Sequence, residues 1–359
     1  MADEQEPLLK SDEATMRGLP KAPFAAAVTS KRNAGRLLPQ AIAHRGYKAA
    51  YPENSMGAFR GAVAAGAHAV EADVHVSADG VAVLSHDASL RRCFGVDGRV
   101  GDCAWAYLSS LRTLREPREG LPRLRDLLAW MAGLGEGGDG REGVWVLLDV
   151  KLDDEAQALM DAIARAIAQV PPGRIPWEQR IMLGCWNATT MHAAQRTLPA
   201  FPRAHTGYSL SYARHFLPQR GLAFNMAHHA LLAPLCGRRF MRALRDRRRA
   251  LFVWTVNAER PMEWCLRQNL PPAGGGAARL VDGVVTDDPA LFLAVCERFE
   301  DELDGLAERR RTTALEAARM AVSVLLRHVL FGLLFVYRRF VQRKLDYMDE
   351  SMDLEKKEG

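Results

Sequence analysis

The sequence predicts an α/β fold, a (β/α)₈ barrel with helices outside a closed parallel sheet. Two observations predict it. Between residues 40 and 290, short β-rich runs alternate with stretches of helical spacing. One of those runs is set aside by a turn signal, and the eight that remain are the count for a closed barrel. Length agrees, because 359 residues hold one barrel of about 250 residues plus tails.

The expected strands are 41–45 (AIAHR), 69–76 (AVEADVHV), 81–86 (VAVLSH), 144–150 (VWVLLDV), 181–186 (IMLGCW), 203–209, 222–226, 251–256 (LFVWTV) and 283–286 (GVVT). Helical spacing runs from Asn54 to Ala65, from Asp153 to Ala168 and from Ala188 to Thr197. Only Ser77-Ala78-Asp79-Gly80 separates 69–76 from 81–86. Asp-Gly marks a hairpin, and a tight turn joins only antiparallel strands, so 81–86 folds back along 69–76. Gly-rich pieces at 132–140 and 273–277 read as surface loops. Apolar residues make up 48% and charged residues 25%, which excludes wholesale disorder, a collagen and a coiled-coil rod. A formal charge of +5 does not mark a nucleic-acid binder. The six cysteines form no CxxC pair, so neither a zinc site nor a disulfide framework is expected.

Strand alternation puts Glu71, Asp73 and His75 on one face, with Val70, Ala72, Val74 and Val76 on the other. Two carboxylates on one face of an apolar strand are costly to bury unless paired or metal-bound. Facing a barrel mouth, both can grip one hard cation through oxygen. The returning hairpin delivers His86-Asp87 to the same end. His44-Arg45-Gly46 ends the first strand, and Asp149-Val150-Lys151 ends strand 144–150. Barrel active sites lie at such C-terminal strand ends. His68, His192, His205 and His215 lack acidic neighbours at useful spacing, and His228 and His229, adjacent on a strand, would point to opposite faces.

The ordered series is HRG at 44–46, PEN at 52–54, ExD at 71–73, DG at 79–80, HD at 86–87, DxK at 149–151, WTVN at 254–257 and TDDP at 286–289. It resembles the glycerophosphodiester phosphodiesterase family, over about residues 41–290. The resemblance implies a barrel of the phospholipase-C-like phosphodiesterase type, one divalent cation, and cleavage of a phosphodiester bearing glycerol. It implies His44 and His86 as catalytic histidines and Glu71, Asp73 and Asp149 as metal ligands. The family has glutamate at the third of these positions, and aspartate is shorter by about 1.5 Å. It further implies Arg45 and Lys151 as phosphate-facing cations, Trp254 as the pocket aromatic, and Glu53 and Asn54 as supporting residues. Carboxylates without softer ligands favour Mg²⁺ or Ca²⁺. One histidine would deprotonate a glycerol hydroxyl that attacks phosphorus, and the other would protonate the leaving alkoxide. A cyclic glycerol phosphate would then open with water.

The tails bear on the substrate. Residues 1–39 mix charge, Pro, Ala and Gly without periodicity, and read as a disordered tail without a secretory signal. Residues 40–300 read as the catalytic barrel, with an insertion at about 88–142 whose Trp105, Tyr107, Leu108 and Leu111 either pack on the barrel or face lipid. Residues 301–345 read as a basic, hydrophobic helical segment and 346–359 as a charged tail. The run Met320–Tyr337 is about 27 Å long as a helix, is flanked by arginines, and holds Arg327 and His328 near its middle. A central Arg makes a clean span unfavourable, so a helix lying in a membrane interface is expected, with packing on the protein's own core as the alternative. A barrel so held resembles the fungal phosphatidylglycerol phospholipase C branch, which leaves diacylglycerol. The expected partners are a glycerophospholipid and a membrane surface, with no nucleic acid, and the catalytic domain faces the cytosol. A soluble glycerophosphodiesterase or lysophospholipase D, and a non-catalytic headgroup-binding protein, are the alternatives.

Overall fold

The structure is a computed structural model that describes residues 20–133, 141–233, 235–271, 281–308 and 314–348. Residues 1–19 of the expected tail, 349–359 of the charged tail, and most of the two Gly-rich stretches lie outside the described residues.

Among the described residues, eight parallel strands close a barrel. They are β1 (Gln40–Ala43), β2 (Ala69–Val76), β4 (Trp145–Val150), β5 (Ile181–Cys185), β6 (Arg203–Gly207), β7 (Ala223–Ala227), β8 (Leu251–Trp254) and β9 (Gly283–Thr286). The ring closes where β9 pairs with β1 and β1 with β2. The extra strand β3 (Ala82–Leu84) pairs antiparallel to β2, with Val74 opposite Leu84, as the Asp-Gly turn requires. Helices α1 (Met56–Ala64), α3 (Ala156–Ala168), α4 (Ala188–Thr197), α5 (Cys236–Asp246), α6 (Glu259–Gln268) and α7 (Pro289–Leu303) follow strands, and α2 (Leu124–Met131) lies in the insertion. Four of them begin at a side chain that accepts a first-turn N–H: Ser55 for α1, Glu155 for α3, Asn187 for α4 and Asp288 for α7.

The period-two pattern of each strand sorts the core. In β4, Trp145 and Leu147 fill the barrel interior while Val146, Leu148 and Val150 meet the helices. Asp149 continues the inward row at its upper end. In β2, Ala69 lies in the interior and Val70, Ala72 and Val74 face outward, so Glu71 and Asp73 share the inward face.

Residues 20–39 correct the expectation of a tail disordered throughout. Phe24 packs edge-on to Trp145 at 5.4 Å, under the barrel floor. Gln40 Nε2 donates to the Phe24 and Ala26 carbonyls, and Gln40 Oε1 accepts from Trp145 Nε1. A two-residue ribbon, Val28–Thr29 against Leu37–Leu38, follows. Composition hides this plug because its order comes from contacts with the barrel floor, not from periodicity.

In the insertion, Leu108 and Leu111 are buried with Val83, Leu90, Val100 and Leu121, while Tyr107 is exposed. Trp105 lies under the Arg123 guanidinium. Leu108 and Leu111 therefore pack on the barrel rather than facing outward.

Helix α8 (Ala314–Val336) crosses the mouth side of the barrel. Phe331, Leu334 and Phe335 pack against Tyr208, Ala227 and Ala230, as do Trp186 and Trp254 from the barrel. The opposite side is bare: Leu325, Leu326, Val329, Leu330, Leu333 and Val336 are exposed. Among the described residues, no helix is long and apolar enough to cross a membrane. Beyond α8 the chain returns to the barrel, correcting the start of the expected charged tail. Leu345 is buried, Asn187 Nδ2 donates to the Lys344 carbonyl, and Tyr212 Oη donates to that of Asp346.

Trp145 is 1% exposed and joins the floor to the interior core. Trp145→Ala is expected to cost about 3–5 kcal/mol of stability, read as a lower denaturant midpoint at unchanged slope.

Candidate active site

The cavity at the C-terminal end of the barrel is lined by residues from all eight parallel strands or the loops after them. They include His44, Arg45, Glu71, Asp73, His86, Asp149, Lys151 and Trp254, so the structure brings together the two histidines, three acids, two cations and the aromatic read from sequence.

The acids form its base. Oxygens of Glu71, Asp73 and Asp149 lie within 4.8 Å of one another, and all three residues are buried. Asp73 and Asp149 are register partners on neighbouring strands. Lys151 Nζ lies 2.5 Å from Asp73 Oδ1 and 2.5 Å from Asp149 Oδ2. Arg45 Nε is 3.3 Å from Asp73 Oδ2, and the Arg45 backbone N–H donates to Glu71 Oε2 at 2.8 Å. Burial works against the Asp73 carboxylate, but the Lys151 and Arg45 charges outweigh it and hold that group well below the usual range. Glu71 goes the other way: burial, then the charges of Asp73 and Asp149, push it well above. The cluster is therefore short of positive charge at Glu71. An all-oxygen donor set with that deficit fits a hard divalent cation. Glu71, Asp73 and Asp149 would hold it, and it would supply charge neutralisation beside a phosphate. The shorter third acid is fixed in place by two donors, Lys151 and Trp186 Nε1 at 2.8 Å.

The loop that follows β1 supports this base. Arg45 and Gly46 have φ of 58° and 77°. A Cβ at Gly46 would come within 2.7 Å of Ala58, so only glycine allows the turn to close on α1. Asn54 Nδ2 donates to Asp73 Oδ2 at 2.7 Å, and its Oδ1 accepts from the Asp73 N–H. Glu53 accepts from Arg45 and from both terminal nitrogens of Arg92. Burial raises the Glu53 carboxyl, but those arginines bring it down to about 2. Arg45 and Lys151 thus line the cavity with their charges already engaged by carboxylates.

Each histidine leans on an aspartate. His44 Nδ1 is 2.6 Å from Asp287 Oδ1, and His86 Nδ1 is 2.7 Å from Asp87 Oδ1. An ionised carboxylate only accepts, so each pairing holds the proton on Nδ1 and leaves Nε2 as the base. Asp287 is itself fixed: its N–H donates to Asn257 Oδ1, and its Oδ2 accepts from Asn257 Nδ2. Burial raises Asp287, but the His44 hydrogen bond and the His44 and Lys48 charges bring it to about 2. Burial is also the main reason both histidines titrate below 6.5, helped by Arg45 at His44 and by Lys151 at His86.

Asp287 and Trp186 were not singled out from sequence, although TDDP and the end of strand 181–186 contain them. Thr206 and Asn225 also line the cavity, and their Oγ1 and Oδ1 atoms have no partner among the described residues. One threonine and one asparagine inside strands carry no sequence signal. His75 is fully buried, with Nδ1 2.6 Å from Asp154 Oδ2. His228 and His229 open a short helical turn rather than sitting on a strand.

Two imidazoles, one neutral and one protonated at Nε2, can take a proton from one oxygen and give one to another around a single phosphorus. His44→Ala and His86→Ala are each expected to lower kcat by about 10²–10⁴, measured on any glycerophosphodiester the wild type turns over. Because His44 titrates below 6.5, it stays a base below that pH, and kcat/KM falls only as pH drops through the lowered pKa. Asp287 raises that pKa. Asp287→Asn is therefore expected to cut kcat by about 10² or more and to move the acidic limb further down, as read from a pH–rate profile.

Residues 44–291 match the glycerophosphoryl diester phosphodiesterase family. A probable glycerophosphodiester phosphodiesterase of Mycobacterium tuberculosis is 27% identical over 278 residues, covering 73% of this chain and 90% of that protein. A lysophospholipase D of Rattus norvegicus is 39% identical over 82 residues, which are 23% of this chain and 26% of that enzyme. The crystal structure of a putative glycerophosphoryl diester phosphodiesterase from Silicibacter pomeroyi shares the fold, with a TM-score of 0.58 at 20% identity, over 80% of this chain and 98% of that one. With the barrel, the histidine pair and the acid cluster already in place, this match over more than half the chain makes it a member of the glycerophosphoryl diester phosphodiesterase family, a hydrolase of glycerophosphodiesters.

Proposed function

We propose that this phosphodiesterase acts on a glycerophospholipid in a membrane, cleaving phosphatidylglycerol in the manner of a phospholipase C to diacylglycerol and glycerol phosphate. The observation that carries this reading is the apolar link from the cavity to α8. Trp186 and Trp254 line the cavity, and they and Phe331, Leu334 and Phe335 of α8 pack around the same buried cluster of Tyr208, Ala227 and Ala230. The other side of α8 exposes apolar residues at spacings of three and four. Arg327, Arg338, Arg339, Arg343 and Lys344 are interspersed with that stripe or follow it. An exposed apolar stripe of this length with basic company suits a helix lying in an anionic lipid interface. It would bring the mouth to the lipid and keep the catalytic domain on the cytosolic side.

In the proposed reaction one histidine, at Nε2, takes the proton of the headgroup glycerol hydroxyl next to the phosphate ester. That oxygen bonds to phosphorus as the bond to the diacylglycerol oxygen breaks, and the other histidine, which enters as an imidazolium supported by its aspartate, gives its Nε2 proton to the departing oxygen. Water then opens the cyclic glycerol phosphate. The aspartates stabilise each imidazolium as it forms. Arg45 and Lys151 balance the phosphate charge, Trp254 walls the headgroup, and Glu53 and Asn54 hold Arg45 and Asp73. Glu71, Asp73 and Asp149 would hold Mg²⁺ or Ca²⁺, which would offset charge on the phosphate oxygens. A second reading, lysophospholipase D-type cleavage on the other side of phosphorus, is favoured by the local identity to the rat enzyme.

Product analysis separates the readings. Phosphatidylglycerol vesicles are expected to yield diacylglycerol and glycerol phosphate, with turnover abolished by EDTA and restored by Mg²⁺ or Ca²⁺. Release of phosphatidic or lysophosphatidic acid instead would establish the second reading, and turnover of soluble diesters alone would rule out the membrane substrate. Replacing Leu325, Leu326, Leu330 and Leu333 together by Ser is expected to lower binding to anionic vesicles at least tenfold in a sedimentation assay, with turnover of soluble glycerophosphodiesters retained.

A further inference from the structure

Beside the catalytic cavity, the underside of α8 and the barrel rim enclose a second, larger hollow of about 440 Å³. Tyr208, Ala230, Phe331 and Phe335 make its wall mostly apolar, within the size range of ligand sites. One buried polar side chain in it stands out. His229 is 8% exposed, and neither ring nitrogen has a partner among the described residues. Its ring stacks on Phe331 at 4.5 Å with an interplanar angle of 28°. Burial, then the charges of Arg327 and His328, push its pKa down to about 4, so at neutral pH it is an uncharged imidazole with one N–H to donate. His328 also lines the hollow, with Nδ1 bound to the Val324 carbonyl.

The hollow and the catalytic cavity share a wall. Tyr208 contacts Phe331 on one side, at 5.1 Å between centroids, and Trp186 on the other, at 6.2 Å. Trp186 in turn meets Trp254 at 5.6 Å, and both indoles face the catalytic cavity. Tyr208 and Trp186 are thus the two rings that stand between the hollow and the catalytic cavity.

We propose that this hollow binds an acyl ester chain of the substrate's leaving group, with His229 donating a hydrogen bond to the ester carbonyl. This rests on the lipid reading above and specifies how the lipid is held. A hydrocarbon chain matches the apolar wall, and the carbonyl supplies the acceptor that His229 lacks. A helix of a second copy would fit the wall but not the imidazole, because helical carbonyls inside a helix are already bonded.

The test uses the full chain and substrates too short to form bilayers. Phosphatidylglycerols with two chains of four, six or eight carbons are assayed below their critical micelle concentrations, beside chain-free glycerophosphoglycerol. For the wild type, kcat/KM is expected to rise about fourfold for each methylene that enters the hollow. Gly332→Phe tests filling, since a Cβ there meets no atom within 4 Å. It is expected to flatten the series and leave glycerophosphoglycerol turnover unchanged. His229→Leu is expected to lower kcat/KM about two- to tenfold for the ester-linked eight-carbon substrate, and to have no effect on its ether-linked analogue. A flat wild-type series with glycerophosphoglycerol still cleaved would overturn the acyl site while sparing the phosphodiesterase. A flat series with concentration-dependent dimerisation would give the hollow to a second copy and equally overturn the proposal. Cleavage of neither the chain-bearing nor the chain-free compounds would overturn the substrate reading itself, and the acyl site with it.

Discussion

Burying three carboxylates in one barrel is the constraint around which the site is arranged. An isolated ionised carboxylate in an apolar interior costs several kcal/mol even after relaxation. This protein places Glu71, Asp73 and Asp149 side by side and answers with Lys151, Arg45 and the amide of Asn54. Each answering group then needs its own support. Arg45 is held by Glu53, Glu53 by Arg92, and Arg92 by Asp87, which also orients His86. A single chain of charge pairs thus runs from the acid cluster to one of the two imidazoles in the cavity. Neighbouring surface ion pairs would contribute little. Here the inner pairs, Arg45 with Asp73 and with Glu53, are largely buried, so their geometry is tightly determined, while Arg92 is half-exposed.

The barrel supplies the positions and the loops supply the chemistry. Strand alternation fixes which residues look inward, and the layers read upward from Trp145 through Leu147 to Asp149. Neither histidine lies within a strand: His44 follows β1 and His86 follows β3. The partners that orient them come from loops too, Asp87 beside its histidine and Asp287 after β9. Loops carried by a closed sheet can vary without disturbing the ring, which is why chemistry concentrates there.

Much of this was legible in the sequence because it rests on local rules. Period two in AVEADVHV and VWVLLDV places their acids correctly, and the Asp-Gly turn gives the antiparallel β3. Helix α4 begins and ends where its spacing says, at Ala188 and Thr197. What stayed hidden depends on distant partners. Phe24 and Gln40 are ordered by the barrel floor, and Leu345 by helices far back in the chain. Asp287 was visible as a motif member, but its pairing with His44 spans 243 positions. The Arg45 and Lys151 side chains were expected to face phosphate. Their engagement with carboxylates follows from three-dimensional charge balance, which no spacing encodes.

The two cavity histidines differ in how their surroundings are assembled. His86 is tied to the acid-bearing strand by a short hairpin, through β3 on β2 and the Ser85 N–H on the Asp73 carbonyl. Those contacts close loops of about a dozen residues, so their entropic cost is small. His44 gains its aspartate only when the last strand meets the first, and the Thr286 carbonyl receives the His44 N–H across that seam. The His86 half can therefore form while the sheet is still open, whereas the His44 half exists only in the finished ring. A chain that has collapsed but not closed has one oriented imidazole, so the second imidazole–aspartate pair is itself the mark of a sealed barrel.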